Sequence, residues 1–305
     1  MPKIPYRIKS ITEYHRLTGL PKPEHPLISV IDVSLLKPAL SDVPVSLVFD
    51  FYCISLKKGL NATIRYGQEY GDFDEGVLFF MAPGQVWGFT LEKGAANTST
   101  GWMILVHPDF LWGTQLAKNI KKHGYFNYSV KEALYLSEKE EQLVKGIILY
   151  IEQEYHANID KFSQPVIVAQ LEVLFTYADR FYQRQFITRK VSTHQLLERL
   201  EETLDSYFSG NLSATNGLPS VVDIADQLNV SAGYLSDLLK ILTGQTTQQH
   251  IHDKLIEKAK EKLSTTNMTV SEIAYDLGFE HMQSFSKLFK SKTKMSPVEF
   301  RATFN

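Results

Sequence analysis

Ser271-Glu272-Ile273-Ala274-Tyr275-Asp276-Leu277-Gly278-Phe279-Glu280 repeats an earlier segment of the same chain, Val222-Asp223-Ile224-Ala225-Asp226-Gln227-Leu228-Asn229-Val230-Ser231. Ile-Ala-x-x-Leu occurs in both, 49 residues apart, from Ile224 to Ile273. A second helical run follows each copy. The first is Tyr234-Leu235-Ser236-Asp237-Leu238-Leu239-Lys240, and the second is Ser284-Phe285-Ser286-Lys287-Leu288-Phe289-Lys290. One extra residue in the later turn makes the offset 50 from there on, as in Leu239 to Phe289.

The repeated unit has a physical reading. Ile-Ala on the inner face of a short helix lets the next helix approach closely, because alanine is small. A tight turn follows, and Gly278 in the second copy can take positive φ there. The next helix begins at a capping residue, Ser231 in the first copy. Two helices joined this way form a helix-turn-helix, whose second helix is shaped for a major groove. Thr269-Val270-Ser271-Glu272 is a capping box ahead of the second unit. Between the units, Ile251, Leu255, Ala259 and Leu263 recur at i, i+4 and predict one long helix from Thr246 to Leu263. Ser296-Pro297-Val298-Glu299 opens a last helix with proline at its first position. A stiff spacer can set two reading helices about one duplex turn, ~34 Å, apart.

Towards the amino terminus, Leu196, Leu197, Leu200, Leu204, Tyr207 and Phe208 form one apolar stripe, closed by Ser209-Gly210-Asn211. Gln183-Arg184-Gln185-Phe186-Ile187-Thr188-Arg189-Lys190 is polar and basic, and a domain boundary is expected near it. That gives two domains, 1–186 and 187–305. Upstream, Ser137-Glu138-Lys139-Glu140 is another capping box, followed by Leu143, Val144, Ile147, Ile151 and Tyr155 at helical spacing. A second helix runs from about Pro165 to Phe181. The pair predicts a helical hairpin beside a β unit.

From about Leu27 to His107 the period is that of short strands. Val45-Ser46-Leu47-Val48-Phe49-Asp50-Phe51-Tyr52-Cys53 reads as one strand, broken after Lys57-Lys58-Gly59, and Ala62 to Tyr66 as another. Further strands are Glu75 to Met81, Val86 to Leu91 and Gly101 to His107, with turns at Pro83-Gly84 and Pro108. Strands at this spacing predict an all-β sandwich or barrel. The fold class is therefore multidomain α and β.

The chain has 305 residues, 44% hydrophobic and 22% charged, which excludes a collagenous or mostly disordered protein. No run approaches the roughly 18 apolar residues of a membrane span. The first residues carry no secretory signal. Cys53 is the one cysteine, so no intrachain disulfide and no multi-cysteine zinc site can form, and a cytoplasmic setting is expected. The net charge of −2 supplies no global attraction to nucleic acid. Locally, from His281 onwards, Lys287, Lys290, Lys292, Lys294 and Arg301 face only Glu299.

At these residues the chain resembles the AraC/XylS family of bacterial transcription regulators. The resemblance covers about Leu196 to Arg301. It is most specific at Ser271 to Phe279, at Phe285-Ser286-Lys287-Leu288-Phe289-Lys290, and at Met295-Ser296-Pro297-Val298-Glu299-Phe300-Arg301. The N-terminal β unit with its helices looks like the cupin-type sensing and dimerisation portion of many members, and Met81-Ala82-Pro83-Gly84-Gln85-Val86 resembles a turn common there. The resemblance implies sequence-specific binding to double-stranded promoter DNA. It also implies a small-molecule effector, a homodimer, and RNA polymerase as a further partner.

The family's base-reading positions fall at His281, Met282, Gln283, Ser284 and Lys287 in the second unit. Gln283 can pair with adenine, and Lys287 can reach guanine acceptors or phosphate. Lys290, with the nearby Lys292 and Lys294, would favour phosphate contact. In the first unit the reading helix opens at Ser231, the matching positions are Ala232, Gly233, Ser236 and Asp237, and Lys240 lies near the backbone. The chain departs from the family at Asp237, where a basic residue is common, at Leu255, often arginine, and at Lys294, where glycine is usual. The second unit is therefore expected to make more of the base contact.

The main rivals are a cupin-like metal-dependent enzyme and a ligand-binding protein with a helical interaction domain. The enzyme would need an H-x-H pair on a strand. Its region holds only the scattered His15, His25, His107 and His123. His250-Ile251-His252 has the spacing, but on a helix i and i+2 do not face each other. No phosphate loop, G-x-G-x-x-G or G-x-S-x-G occurs. The sequence calls for no cofactor and no catalytic residue. Tyr66, Phe79, Phe80, Trp87 and Trp102 could line an effector cavity or form the sandwich core.

Overall fold

A computed structural model describes residues 5–36, 46–58, 76–88, 100–129, 132–188, 190–209 and 212–304. It divides into two units, Met1–Gln185 and Phe186–Asn305. The first contains strands β1 (Tyr6–Ile8), β2 (Ile28–Asp32), β3 (Ser46–Phe49), β4 (Tyr52–Lys58), β5 (Val77–Met81), β6 (Val86–Gly88), β7 (Thr100–Val106) and β8 (Leu134–Tyr135). Its helices are α1 (Ile11–Leu17), α2 (Gln115–Asn119), α3 (Glu138–Tyr155) and α4 (Ser163–Thr188), whose last three residues belong to the second unit.

Five strands form one antiparallel sheet in the order β2-β7-β4-β5-β8. The other three form a smaller sheet, β1-β3-β6, in which β1 pairs parallel to β3. Val45 to Cys53, read as one strand, is two strands in different sheets. The chain turns at Asp50-Phe51, where the Asp50 N–H donates to the Ile8 carbonyl (3.1 Å) and Arg7 Nε meets Asp50 Oδ1 at 2.8 Å. Strands that switch sheets bend at such corners. Alternation along β4 then turns Cys53 inwards. It packs with Ile8, Leu47 and Phe49 of the small sheet, Met103 and Leu105 of the large one, and Ile11 and Tyr14 of α1. The Tyr14 hydroxyl donates to Met103 Sδ (3.4 Å), and burial pushes the Cys53 thiol up to about 12. The expected second strand at Ala62 to Tyr66 lies outside the described residues.

The turn at Ala82 to Gln85 is built as its residues suggest. Gly84 takes φ +81° and its N–H donates to the Phe49 carbonyl (2.7 Å). Gln85 Oε1 accepts from the Ala82 N–H, and Gln85 Nε2 donates to the Tyr128 carbonyl. α3 begins with Glu140 Oε2 accepting from the Ser137 N–H (2.9 Å). α4 runs past the expected Phe181 to Thr188. Its polar residues there hold it: Gln185 accepts from the Tyr135 N–H (2.9 Å) and donates to the Ala133 carbonyl, and Arg184 pairs with Glu140 at 2.8 Å.

The second unit is helical: α5 (Lys190–Ser209), α6 (Leu212–Asn216), α7 (Val221–Leu228), α8 (Ala232–Thr243), α9 (Thr247–Thr265), α10 (Val270–Asp276), α11 (Met282–Thr293) and α12 (Pro297–Ala302). Ile251, Leu255, Ala259 and Leu263 are all buried along α9, as their spacing requires. Lys254 joins α9 to α5 through Asp205 (2.9 Å) and Glu201 (3.7 Å), and Lys258 reaches the same Asp205 (3.3 Å). No helix among the described residues is long and apolar enough to cross a membrane.

Candidate nucleic-acid interface

The repeat in sequence is a repeat in geometry. α7 and α10 each bury the Ile-Ala pair, Ile224-Ala225 and Ile273-Ala274. α7 ends at Asn229 in the left-handed region (φ 57°), and Gly278 occupies the matching place at φ +90°. The next residue bonds back identically: the Val230 N–H to the Ala225 carbonyl (3.0 Å) and the Phe279 N–H to the Ala274 carbonyl (2.9 Å). Gly278 has a second reason. A Cβ there would sit 2.7 Å from the Gly217 carbonyl carbon and 2.8 Å from the Ser213 oxygen, both backbone atoms.

The repeat reaches further than Ile-Ala-x-x-Leu. Capping boxes close the starts of α7 (Ser220 with Asp223) and α10 (Thr269 with Glu272), and those of α9 (Thr246 with Gln249) and α12 (Ser296 with Glu299). The three carboxyls among these partners are held below their ordinary values by the backbone N–H of the cap residue: Asp223 by Ser220, Glu272 by Thr269, Glu299 by Ser296. The boxes at Ser220 and Thr246 were legible as S/T-x-x-polar spacing.

α8 and α11 are the paired second helices, each twelve residues long and each ending in a left-handed cap, Gly244 and Lys294. α11 buries Phe285 and Phe289, and α8 buries Leu235, Leu238 and Leu239. On the opposite face of α11, Gln283, Lys287 and Lys290 fall on one stripe at i, i+4 and i+7, all exposed, and the exposed Lys294 caps the end of the helix. His281, Met282 and Ser284 are exposed beside its first turn. His281 makes no side-chain cap, and its carbonyl accepts from the Ser284 N–H (3.1 Å).

The first unit presents a different face. The residues matching Gln283, Lys287, Lys290 and Lys294 are Gly233, Asp237, Lys240 and Gly244. Gly233, Ser236 and Asp237 are half-buried, and only Lys240 among the expected residues is exposed. Ser231 Oγ caps α8 by accepting from the Tyr234 N–H (3.2 Å). Ser236 Oγ lies 3.1 Å from Thr247 Oγ1, whose residue is fully buried at the start of α9. The structure thus ties Ser236 into the helix contact rather than offering it outward.

Two of the terminal cations are also engaged inside the unit. Lys292, read as a phosphate contact, pairs with Asp253 of α9 at 2.8 Å. Position 292 falls on the side of α11 that carries Phe285, so the lysine reaches α9 instead. Arg301 Nε donates to the Leu263 carbonyl (3.2 Å). Lys262 similarly ties α9 to Asp276 at the end of α10 (2.9 Å). Of the terminal cations, Lys287, Lys290 and Lys294 therefore carry the outward positive charge.

The aromatic candidates of the first unit lie elsewhere. Phe80 is a core ring, with centroids of Tyr125, Phe126 and Phe175 at 4.3, 5.3 and 6.2 Å. Trp102 is half-buried, with Lys145 Nζ of α3 5.0 Å from its ring centre. Both lie on the helix-covered side of the large sheet, not between the sheets. Tyr66 and the ring of Trp87 lie outside the described residues. His250 Nε2 meets Thr243 Oγ1 and His252 Nε2 meets Gln248, so the two rings turn to different neighbours. Among the described residues no three His, Cys, Asp or Glu side chains are grouped to hold a metal ion.

Residues 224–303 match the family model described as a helix-turn-helix domain. The chain is 31% identical over 111 residues to the arabinose operon regulatory protein of Escherichia coli, covering 36% of this chain and 37% of that one. It is 27% identical over 146 residues to YfiF of Bacillus subtilis, an uncharacterised HTH-type transcriptional regulator, covering 48% of this chain and 43% of that protein. It is 26% identical over 111 residues to the regulatory protein SoxS of Salmonella typhimurium, covering 36% of this chain and 97% of that protein. The chain spans less than half the length of the arabinose regulator and of YfiF, so their likeness concerns one domain. The carboxyl-terminal helices are thus a helix-turn-helix domain similar in sequence to those of the arabinose regulator and SoxS.

Proposed function

We propose that the chain is a sequence-specific DNA-binding transcription regulator, in which residues 187–305 read promoter DNA and residues 1–186 sense a small effector and mediate dimerisation. The observation that carries it is the polar stripe of α11, mounted opposite two buried phenylalanines and duplicated in frame, though not in side chains, on α8. α7-α8 and α10-α11 act as two helix-turn-helix units, with α9 as the spacer that sets them about one duplex turn, ~34 Å, apart. Phosphate contacts by Lys290 and Lys240 fix register, and base-edge contacts by His281, Met282, Gln283, Ser284 and Lys287 specify the site. The first unit contributes less: Gly233 has no side chain, and Asp237 can accept from cytosine N4 but repels phosphate.

The two-sheet first unit supports a cupin-type sensor, whose effector acts by favouring one arrangement of the chain over another. A homodimer and RNA polymerase are the remaining partners in this reading. Titration of a promoter fragment in rising salt tests it, with affinity expected to fall steeply. Lys287→Ala is expected to lose roughly fivefold or more in affinity, about 1–3 kcal/mol, and Ser236→Ala much less. A larger loss from Ser236→Ala would reverse the order of the two units, and no DNA affinity at low salt would reject the reading.

A further inference from the structure

Two residues other than glycine take positive φ among those described, Asn229 and Lys294. Asparagine tolerates the left-handed region, and lysine occupies it only at a steric cost. Lys294 adopts φ 66°, ψ 3° at the end of α11, with its N–H donated to the Lys290 carbonyl (2.9 Å). The same cap of α8 is Gly244 at φ 75°, ψ 0°, with its N–H donated to the Lys240 carbonyl (3.1 Å). The protein therefore holds one backbone geometry twice, once with the residue that suits it and once with one that does not. The position is strained for a long side chain, and strain that persists marks a candidate for function.

Lys294 is exposed at the end of the helix that carries Gln283, Lys287 and Lys290. Its ammonium sits 3.2 Å from the Ser291 carbonyl on the last turn of its own helix, an exposed contact that a phosphate oxygen can replace. Lys292 and Arg301 are committed to α9, whereas this contact of Lys294 stays within α11. We propose that Lys294 is a DNA phosphate clamp at the far end of the second reading helix, retained there against the preference of the backbone for glycine. This rests on the DNA-binding reading above and adds a trade of local stability for affinity.

The test uses the full chain and a random-sequence 30-base-pair duplex, titrated across a range of salt concentrations. Lys294→Gly is expected to raise Tm while reducing the slope of log affinity against log salt by about one, with roughly fivefold weaker binding near 0.15 M salt. Lys294→Arg is expected to keep the wild-type slope. Gly244→Lys, whose Cβ meets open space, is expected to increase the slope by about one. An unchanged slope in Lys294→Gly, or a lowered Tm, would overturn the proposal. If the wild-type chain itself fails to bind the duplex at low salt, the DNA-binding reading fails with it, which separates the two failures.

Discussion

Gly278 shows how much one position can fix. Its φ of +90° and the backbone atoms within 2.8 Å of a notional Cβ forbid any larger residue. Gly278→Ala is therefore expected to destabilise the second unit by more than about 1 kcal/mol, measured as a lower urea midpoint of its unfolding transition. Phe285→Ala removes a fully buried ring under the reading face and is expected to cost about 3–5 kcal/mol. Such positions were legible because a glycine directly after Leu277, and aromatics at i, i+4, each suit one structural role. Ser236 and Lys292 were not. Their spacing fits a DNA contact as well as a helix contact, and the choice is made by Thr247 and Asp253, which approach from a different helix. The first unit's aromatics stayed open between cavity and core for a similar reason, since alternation says which residues share a face but not what covers it.

Helix starts in the second unit are set by reciprocal caps, and their chemistry gives a pH dependence. Glu272 and Glu299 lie below their ordinary value of 4.5, and Asp223 lies below 3.8. Asp205 is lowered as well, first by its bond to Lys254. Each group is more acidic folded than unfolded. Its contribution is thus complete above the unfolded value and is lost as pH falls through the folded one. The second unit is expected to lose stability below about pH 4.5, and Glu272→Gln should flatten part of that decline in acid-unfolding curves. The same cap logic exposes a miss nearer the start. Ser10 Oγ accepts from the Glu13 N–H and Glu13 accepts from the Lys9 N–H, so Ser10-Ile11-Thr12-Glu13 carried the signal for α1. The corner at Asp50 had no comparable signal, because its cause is a carbonyl more than forty residues away in sequence, on β1.

A chain with net charge −2 binds DNA only through a local field, and the unequal faces of α8 and α11 make that field lopsided. Substituting each base pair across two successive major grooves should reveal it. Changes under α11 are expected to cost about 1–3 kcal/mol each, and changes under α8 less, as read by competition binding. Equal costs in both grooves would contradict the asymmetry. The identical lengths of α8 and α11, and the left-handed backbone that ends both, have an evolutionary consequence. A duplicated framework that keeps its frame frees one copy from selection for spelling while the other stays bound to it. Mutations that rescue an altered promoter should then cluster in the later copy, while the earlier one drifts in side chain and persists in shape.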